Sequence, residues 1–120
     1  MSDKVNIKDK FQLFKKYWSP KIVGELEDFY IKLFKAKGEF VWHTHEDEDE
    51  FFLVIEGQLH IKFQDKTVIL NEGEFFIVPK KVEHMPYAPE EAHVMLFERK
   101  EVINTGDAEC EKRVDNPEWI

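Results

Sequence analysis

Three histidines and one glutamate have the residue types, and in part the spacing, that a metal site requires. His43 and His45 lie one residue apart in the stretch VWHTHEDEDEFF, residues 41–52. On a β-strand two such side chains project to the same face, about 6.6 Å apart. If the acidic run that follows turns the chain between antiparallel strands, Glu50 returns beside this pair. With His84, which follows a later proline turn, these side chains could bind a divalent transition metal and leave positions open for water or a substrate.

The same residues also have simpler interpretations. An isolated His-x-His pair is weak evidence for a metal, and a single histidine such as His84 is more often hydrogen-bonded or at the surface than a ligand. The acidic residues 46–49 are expected to form a solvated loop. His60 and His93 alternate within apolar strands and fit structural roles, although His93 shares its face with two apolar residues and could line a pocket. His93 and Tyr87 are weak candidates for a separate catalytic acid or base.

The pattern of apolar residues predicts a β-rich chain behind a short helix. Aromatic residues fall near one helical face in a segment of about residues 7–18, which Pro20 ends. Turn signals, among them the APE of residues 88–90, separate the short runs that follow. About eight short strands at this spacing predict an all-β sandwich or barrel, and the tail of about residues 103–120 is expected to be irregular. The runs are KIVGEL, DFYIKLFKAK, EFVWHTH, EFFLVIEG, QLHIKFQ, KTVILNEG, EFFIVP and HVMLFERK.

Length, charge and cysteine content narrow the functional classes. A chain of 120 residues suits a single domain, residues 1–120, and its net charge of −8 disfavours binding to nucleic-acid phosphates or to an anionic membrane. The single cysteine, Cys110, cannot form an internal disulfide, which suits a reducing cytoplasm. The N-terminus has no apolar signal segment, and no run approaches the roughly 20 apolar residues that span a bilayer. We therefore expect a cytoplasmic protein with neither nucleic acid nor membrane as a partner.

Two spacing patterns, taken together, carry a family resemblance. The first is G-x4-H-x-H-x4-E-x6-G, from Gly38 to Gly57, and the second is G-x5-P-x4-H, from Gly73 to His84. This pair resembles the paired motifs of the cupin superfamily. The resemblance covers about residues 22–98 and implies a double-stranded β-helix, the cupin jelly-roll barrel, with one metal held inside it. The implied ligands are His43, His45, Glu50 and His84.

The flanks of the predicted barrel add to the resemblance. WSPKIV before it and INTGD after it are similar to those of small stand-alone microbial cupins, which generally lack an assigned reaction. The resemblance also implies a homodimer, because small cupins commonly pair at the barrel edges. Such pairing would cover strand edges that are otherwise exposed.

The chain departs from the family pattern at three positions. Only four residues separate Gly38 from His43, so that Lys37 occupies a usual glycine position. Lys81 stands where a glycine often takes a positive φ, and Ala88 replaces the usual asparagine. Because a positive φ costs more for lysine than for glycine, we expect the turn at Lys81 to be rebuilt while the ligand set stays intact.

Two functions fit these observations. The first is a mononuclear metal-dependent enzyme that holds Fe, Mn, Zn or Ni and acts on an oxygen-rich small molecule: iron favours dioxygenase chemistry, while zinc or manganese favours isomerisation or elimination. The second is a barrel that binds a small ligand without turnover, as a sensor or store, and a third is a structural barrel with an adventitious metal. A phosphosugar isomerase ranks lower, since a phosphate requires cations and the nearby supply is thin. These cations are Lys62, Lys80, Lys81 and Arg99.

Overall fold

The chain forms eight strands behind one short helix, as the computed structural model shows for residues 3–120. All strand pairs are antiparallel except that of the first and last strands. Among residues 3–120, no helix has the length and apolar character that crossing a membrane requires. The elements are α1 (Ile7–Phe11), β1 (Lys21–Leu26), β2 (Phe29–Glu39), β3 (Glu50–Glu56), β4 (Leu59–Lys62), β5 (Thr67–Leu70), β6 (Phe75–Val78), β7 (Met85–Arg99) and β8 (Glu118–Trp119).

Two long strands, β2 and β7, run through both walls of a barrel. The N-terminal part of β7 pairs with β4 and with the end of β2, while its C-terminal part pairs with β3 and the start of β2. The register shifts between Ala36 and Gly38, where β7 carries extra residues, and Gly38 takes a φ of 76°. Such an irregularity bends both strands from one wall into the other. The predicted all-β barrel is confirmed, whereas the turn predicted at residues 88–90 is wrong because this bend lies inside β7.

Alternation along the strands decides what fills the barrel. On β7 the buried residues from Ala92 to Glu98 alternate with partly exposed ones, as the two-residue period of a strand requires. The interior is apolar and rich in aromatic side chains. Its buried members are Trp18, Phe34, Ala36, Phe40, Phe52, Val54, Leu59, Ile61, Leu70, Val78, Ala88, Ala92, Val94 and Leu96.

A second apolar cluster lies on the outer face of β1 and β2. Phe11 and Phe14 of the N-terminal segment pack there against Val23 and Leu33. The helix is shorter than the predicted segment 7–18, because it ends at Phe11 and the chain then follows the barrel wall. Lys35 supports this extended path by donating from Nζ to the Phe14 carbonyl oxygen over 2.8 Å. The N-terminal segment thereby reaches the mouth of the barrel, where Trp18 enters the interior.

Candidate metal centre

Four side chains from three parts of the chain meet at one end of the barrel. His43 and His45 lie on the connection between β2 and β3, which is not the β-run predicted from EFVWHTH. Glu50 opens β3, and His84 immediately precedes β7. An isolated antiparallel bridge joins His43 to His84, with both N–H···O distances at 3.0 Å. Two otherwise irregular segments are thus aligned so that their imidazoles face each other.

The predicted ligand set is compact and buried. One ligand atom from each of the four side chains lies within 4.8 Å of all the others, and the exposed fractions of the residues are 1–5%. The Oε1 atom of Glu50 lies 3.2 Å from Nε2 of His84 and 3.3 Å from Nε2 of His45. This arrangement would let a single cation replace the contacts that the four groups now make with each other.

Hydrogen bonds orient two of the imidazoles for metal binding. Nδ1 of His43 donates to the Val41 carbonyl oxygen over 2.9 Å, and Nδ1 of His84 donates to that of Val82 over 2.9 Å. Each Nε2 is therefore turned toward the cluster, where it could offer its lone pair to a bound metal. Among the described residues, Nε2 of His43 is buried without a hydrogen-bond partner, and Nε2 of His45 has no contact closer than the 3.3 Å to Glu50. Because buried polar atoms are normally paired, these two nitrogens fit a divalent transition metal.

The electrostatics of the cluster also favour a cation. Burial lowers the pKa of His43 to about 4, so this imidazole is neutral at neutral pH. Burial acts to lower the pKa of His45 too, but the Glu50 carboxylate outweighs it and the net shift is upward. Burial acts to raise the pKa of Glu50, yet His45 and His84 hold it well below its usual value. Glu50 is thus an anion among imidazoles, the combination that attracts a positive ion.

The C-terminal tail fixes the backbone that carries both histidines. Oδ1 of Asp107 accepts from the Thr44 amide over 2.7 Å, and the Asp107 amide donates to the Thr44 carbonyl oxygen over 3.1 Å. Nζ of Lys112 donates to the Phe40 carbonyl oxygen over 3.1 Å. Gly106 has a φ of +56°, and a Cβ there would lie 2.4 Å from the Thr44 carbonyl oxygen. The tail, which the sequence predicts only to be irregular, therefore fixes the backbone of the segment that carries His43 and His45.

A narrow, mostly apolar pocket that is partly open to solvent ends at the ligand cluster. Trp18 stacks on Phe40 with ring centroids 4.9 Å apart, and its Nε1 donates to the Lys37 carbonyl oxygen. In the part of the chain that the structure describes, no lysine or arginine lines this pocket. The lining residues are Trp18, Pro20, Phe34, Phe40, His43, Glu50, Phe52, Pro86, Leu96 and Asn104.

The two weak candidates for a catalytic acid or base do not join the cluster. His93 lies on the outer face, where its ring nitrogens contact Glu91 at 2.8 Å and Glu56 at 3.1 Å. Phe11 stacks on the other side of this ring, with centroids 4.5 Å apart. The ring of Tyr87 packs under Nζ of Lys62 at 4.6 Å and does not line the pocket.

The turn at Lys81 is not rebuilt, contrary to the sequence-based expectation. Lys81 adopts a φ of 68°, the left-handed conformation that the usual glycine would take. Its amide donates to the carbonyl oxygen of His45 over 2.7 Å, and this hydrogen bond connects the turn to the ligand cluster. The contact explains why the backbone conformation is kept at the expense of local strain.

Sequence reasoning missed a buried ion pair next to the cluster. Nζ of Lys32 lies 3.0 Å from Oε1 of Glu98, and both side chains are almost fully buried. Burial, together with the charge of Glu50, raises the pKa of Glu98, while Lys32 acts against this shift. The only available signal was that both residues occupy the same alternating face as core residues such as Phe34 and Leu96.

Known proteins resemble this chain in sequence. The curated relatives include the "Uncharacterized protein YdbB" of Bacillus subtilis (strain 168), 40% identical over 63 residues, which are 52% of this chain and 56% of that protein. They also include a 3-hydroxyanthranilate 3,4-dioxygenase of Jannaschia sp. (strain CCS1), 28% identical over 93 residues, 73% of this chain and 52% of that protein. The chain thus spans about half the length of the curated relatives it matches.

A solved structure and a family profile agree on the fold. The structure of a cupin-2 domain containing protein from Shewanella frigidimarina NCIMB 400 is 48% identical with a TM-score of 0.79, over 80% of this chain and 94% of that one. The profile of the cupin domain, Cupin_2, matches residues 30–99. With its β-barrel and its His-His-Glu-His cluster in the expected motifs, the chain belongs to the cupin domain family.

Proposed function

We propose that this chain is a mononuclear metal-dependent dioxygenase that acts on a small hydroxylated aromatic compound. The observation that carries the proposal is the position of the ligand cluster at the end of a pocket walled by aromatic and aliphatic side chains. Such walls favour a flat, carbon-rich molecule, because burial of its apolar surface drives binding. The resemblance to a relative named as a 3-hydroxyanthranilate 3,4-dioxygenase supports the same substrate class.

The residues of the chain have distinct roles in this proposal. His43, His45, Glu50 and His84 would hold the ion, and a divalent iron there would supply the redox chemistry that activates dioxygen beside a substrate. Three neutral imidazoles and one carboxylate would leave a bound divalent ion with one net positive charge, which would favour an anionic substrate oxygen. The stacked rings of Trp18 and Phe40 would orient the aromatic plane, and the apolar walls would keep water away from it.

An isomerase acting on a phosphosugar is less well supported. A phosphate group requires lysine or arginine donors, and none lines the pocket over residues 3–120. The exposed cations Lys80 and Lys81 belong to the turn behind the cluster and not to the pocket lining.

A non-catalytic binding protein is the second candidate. Apart from the ligands His43 and Glu50, no titratable side chain lines the pocket within the described residues. A reaction that needs a separate proton donor therefore has none at hand, whereas a dioxygenase or a ligand-binding barrel needs none from this wall.

Oxygen uptake by the metal-loaded protein tests the proposal. Untagged protein is loaded anaerobically with Fe²⁺, its metal content is measured, and oxygen consumption is followed with 3-hydroxyanthranilate, catechol, hydroquinone, a diketone and mannose 6-phosphate. We expect one iron per chain and equimolar loss of oxygen and of one hydroxylated aromatic compound. Metal binding and ligand-induced thermal shifts without oxygen uptake would instead favour the binding protein.

A variant of a pocket residue that is not a metal ligand tests the role of the pocket independently of metal binding. Phe40→Trp enlarges a wall residue that stacks on Trp18 but provides no metal ligand. It should keep the iron content of the wild type and lose most of the oxygen uptake, because the added ring volume occupies the substrate space. Unchanged uptake in this variant would place the substrate outside the pocket.

A further inference from the structure

Three charged side chains form a row across the inner wall of the barrel. Phe51 on β3 is paired with Phe97 on β7, so that one residue further along Glu50 lies opposite Glu98. Lys32 on β2 is opposite Leu96, two residues from Glu98 and on the same face. All three charged residues are at most 3% exposed. The row therefore runs from Glu50, a predicted metal ligand on β3, across β7 to the buried Lys32 on β2.

One of the two carboxyl oxygens of Glu98 lacks a hydrogen-bond partner among the described residues. Nζ of Lys32 lies 3.0 Å from Oε1 of Glu98 and 3.5 Å from the Val102 carbonyl oxygen. Oε2 of Glu98 is buried and has no hydrogen-bond partner among residues 3–120. Glu98 itself is not among the residues whose atoms converge on the metal position.

Two carboxyl groups side by side in a buried wall repel each other unless positive charge is near. Lys32 supplies such a charge and holds Oε1 of Glu98, which leaves Oε2 without a partner on the strand position opposite Glu50. Within residues 3–120, the ion-pair contacts of Glu50 use Oε1, which both histidines approach. The orientation of the Glu50 carboxylate toward a bound ion thus depends on the residues that pack next to it, Glu98 among them.

We propose that Lys32 and Glu98 are positioning residues that fix Glu50 as a metal ligand. The inference rests on the metal site of the proposed function but not on its dioxygenase activity. Groups that orient ligands from outside the coordination sphere typically change metal affinity by about 10–100-fold. The pair should accordingly affect how tightly the site binds an ion and with what geometry, even when no substrate is present.

Binding of Co²⁺ tests the proposal with the full chain at fixed pH. Affinity is measured by competition with a chelator, and coordination geometry by the visible absorption of bound Co²⁺. In the double variant K32M/E98L, a buried ion pair is replaced by apolar groups, which usually preserves the fold. We expect its Co²⁺ affinity to fall by about 10–100-fold with a changed spectrum, while the metal-free protein stays folded.

Two further variants remove any dependence on the folding of the double variant. Glu98→Asp keeps the charge beside Lys32 but withdraws the carboxyl group from Glu50, and should also weaken Co²⁺ binding about tenfold or more. Glu98→Gln keeps both hydrogen-bonding atoms and should retain nearly wild-type affinity and spectrum. The remote pair variant K21M/E118Q removes a surface ion pair of 3.2 Å and should leave both readouts unchanged.

The outcomes separate this inference from the proposed function. If Glu98→Asp, and the double variant where it folds, keep wild-type affinity and spectrum, the positioning role is wrong while the metal site stands. If the wild-type protein binds no Co²⁺ or Fe²⁺, both the metal site and the positioning role are wrong. Weaker binding with an altered spectrum, rescued in Glu98→Gln, supports the role.

Discussion

At the scale of the residue, metal binding depends on a few buried nitrogen and oxygen atoms. His45→Ala removes one of the four converging ligands and should reduce metal occupancy to below roughly a tenth, because even indirect contacts to a metal are worth 10–100-fold. The barrel should stay folded, since the ring of His45 belongs to neither apolar cluster. Metal analysis together with circular dichroism measures both effects. His60→Ala, which removes a histidine that bonds to Gln58 outside the ligand cluster, is the matched control and should retain its metal.

At the scale of the element, the tail is as important to the site as the strands. Gly106→Ala places a Cβ 2.4 Å from the Thr44 carbonyl oxygen at a positive φ, so the tail must move away from the segment that carries both histidines. We expect a loss of about 1–3 kcal/mol in the free energy of unfolding and weaker metal binding. Urea unfolding and a metal titration measure these changes.

The control for Gly106 is another glycine with a positive φ at which an added Cβ would contact nothing. Gly73 also has a positive φ, of +82°, but nothing lies within 4 Å of an added Cβ. Gly73→Ala should therefore lose stability through backbone strain alone and keep its metal affinity. Equal metal affinity in the Gly106→Ala and Gly73→Ala variants would show that the tail does not hold the site.

At the scale of the whole molecule, we propose that the edge strand β6 pairs with β6 of a second copy of the chain. Within residues 3–120 this strand pairs only with β3, and its outward residues Phe75 and Ile77 are 59% and 48% exposed. Antiparallel pairing about an axis at Ile77 would set Glu74 of one copy beside Lys80 of the other. We predict a homodimer, with twice the chain mass of 14.4 kDa by light scattering.

Charge placed on that edge should dissociate the dimer. Ile77→Lys puts two like charges at the proposed axis and should give a folded monomer. Leu13→Lys changes another exposed apolar residue, outside β6, and should remain dimeric. A wild-type monomer, or an Ile77→Lys dimer, would contradict the arrangement.

The candidate ligand set could be predicted from the sequence because its information is largely local. The spacing of His43, His45 and Glu50 places three ligands within eight residues, and the second motif supplies His84. Alternation likewise determined the β-class, since a strand must repeat every second residue whatever its neighbours are. The sequence did not determine that the two histidines sit outside a strand, because a bridge to His84, about forty residues away, sets that backbone.

Only the tertiary structure decided which distant polar residues lie next to the candidate site. On β2 both alternating faces carry apolar residues, so the alternation does not predict which face points into the barrel. The structure shows that the face of Lys32 points inward, where Lys32 contacts Glu98, 66 residues later. Asp107 reaches Thr44 across 63 residues, and Trp18 enters the pocket from the N-terminal segment. Contacts of this kind leave no local pattern, because they depend on how the strands close into a barrel and not on the order of neighbouring residues.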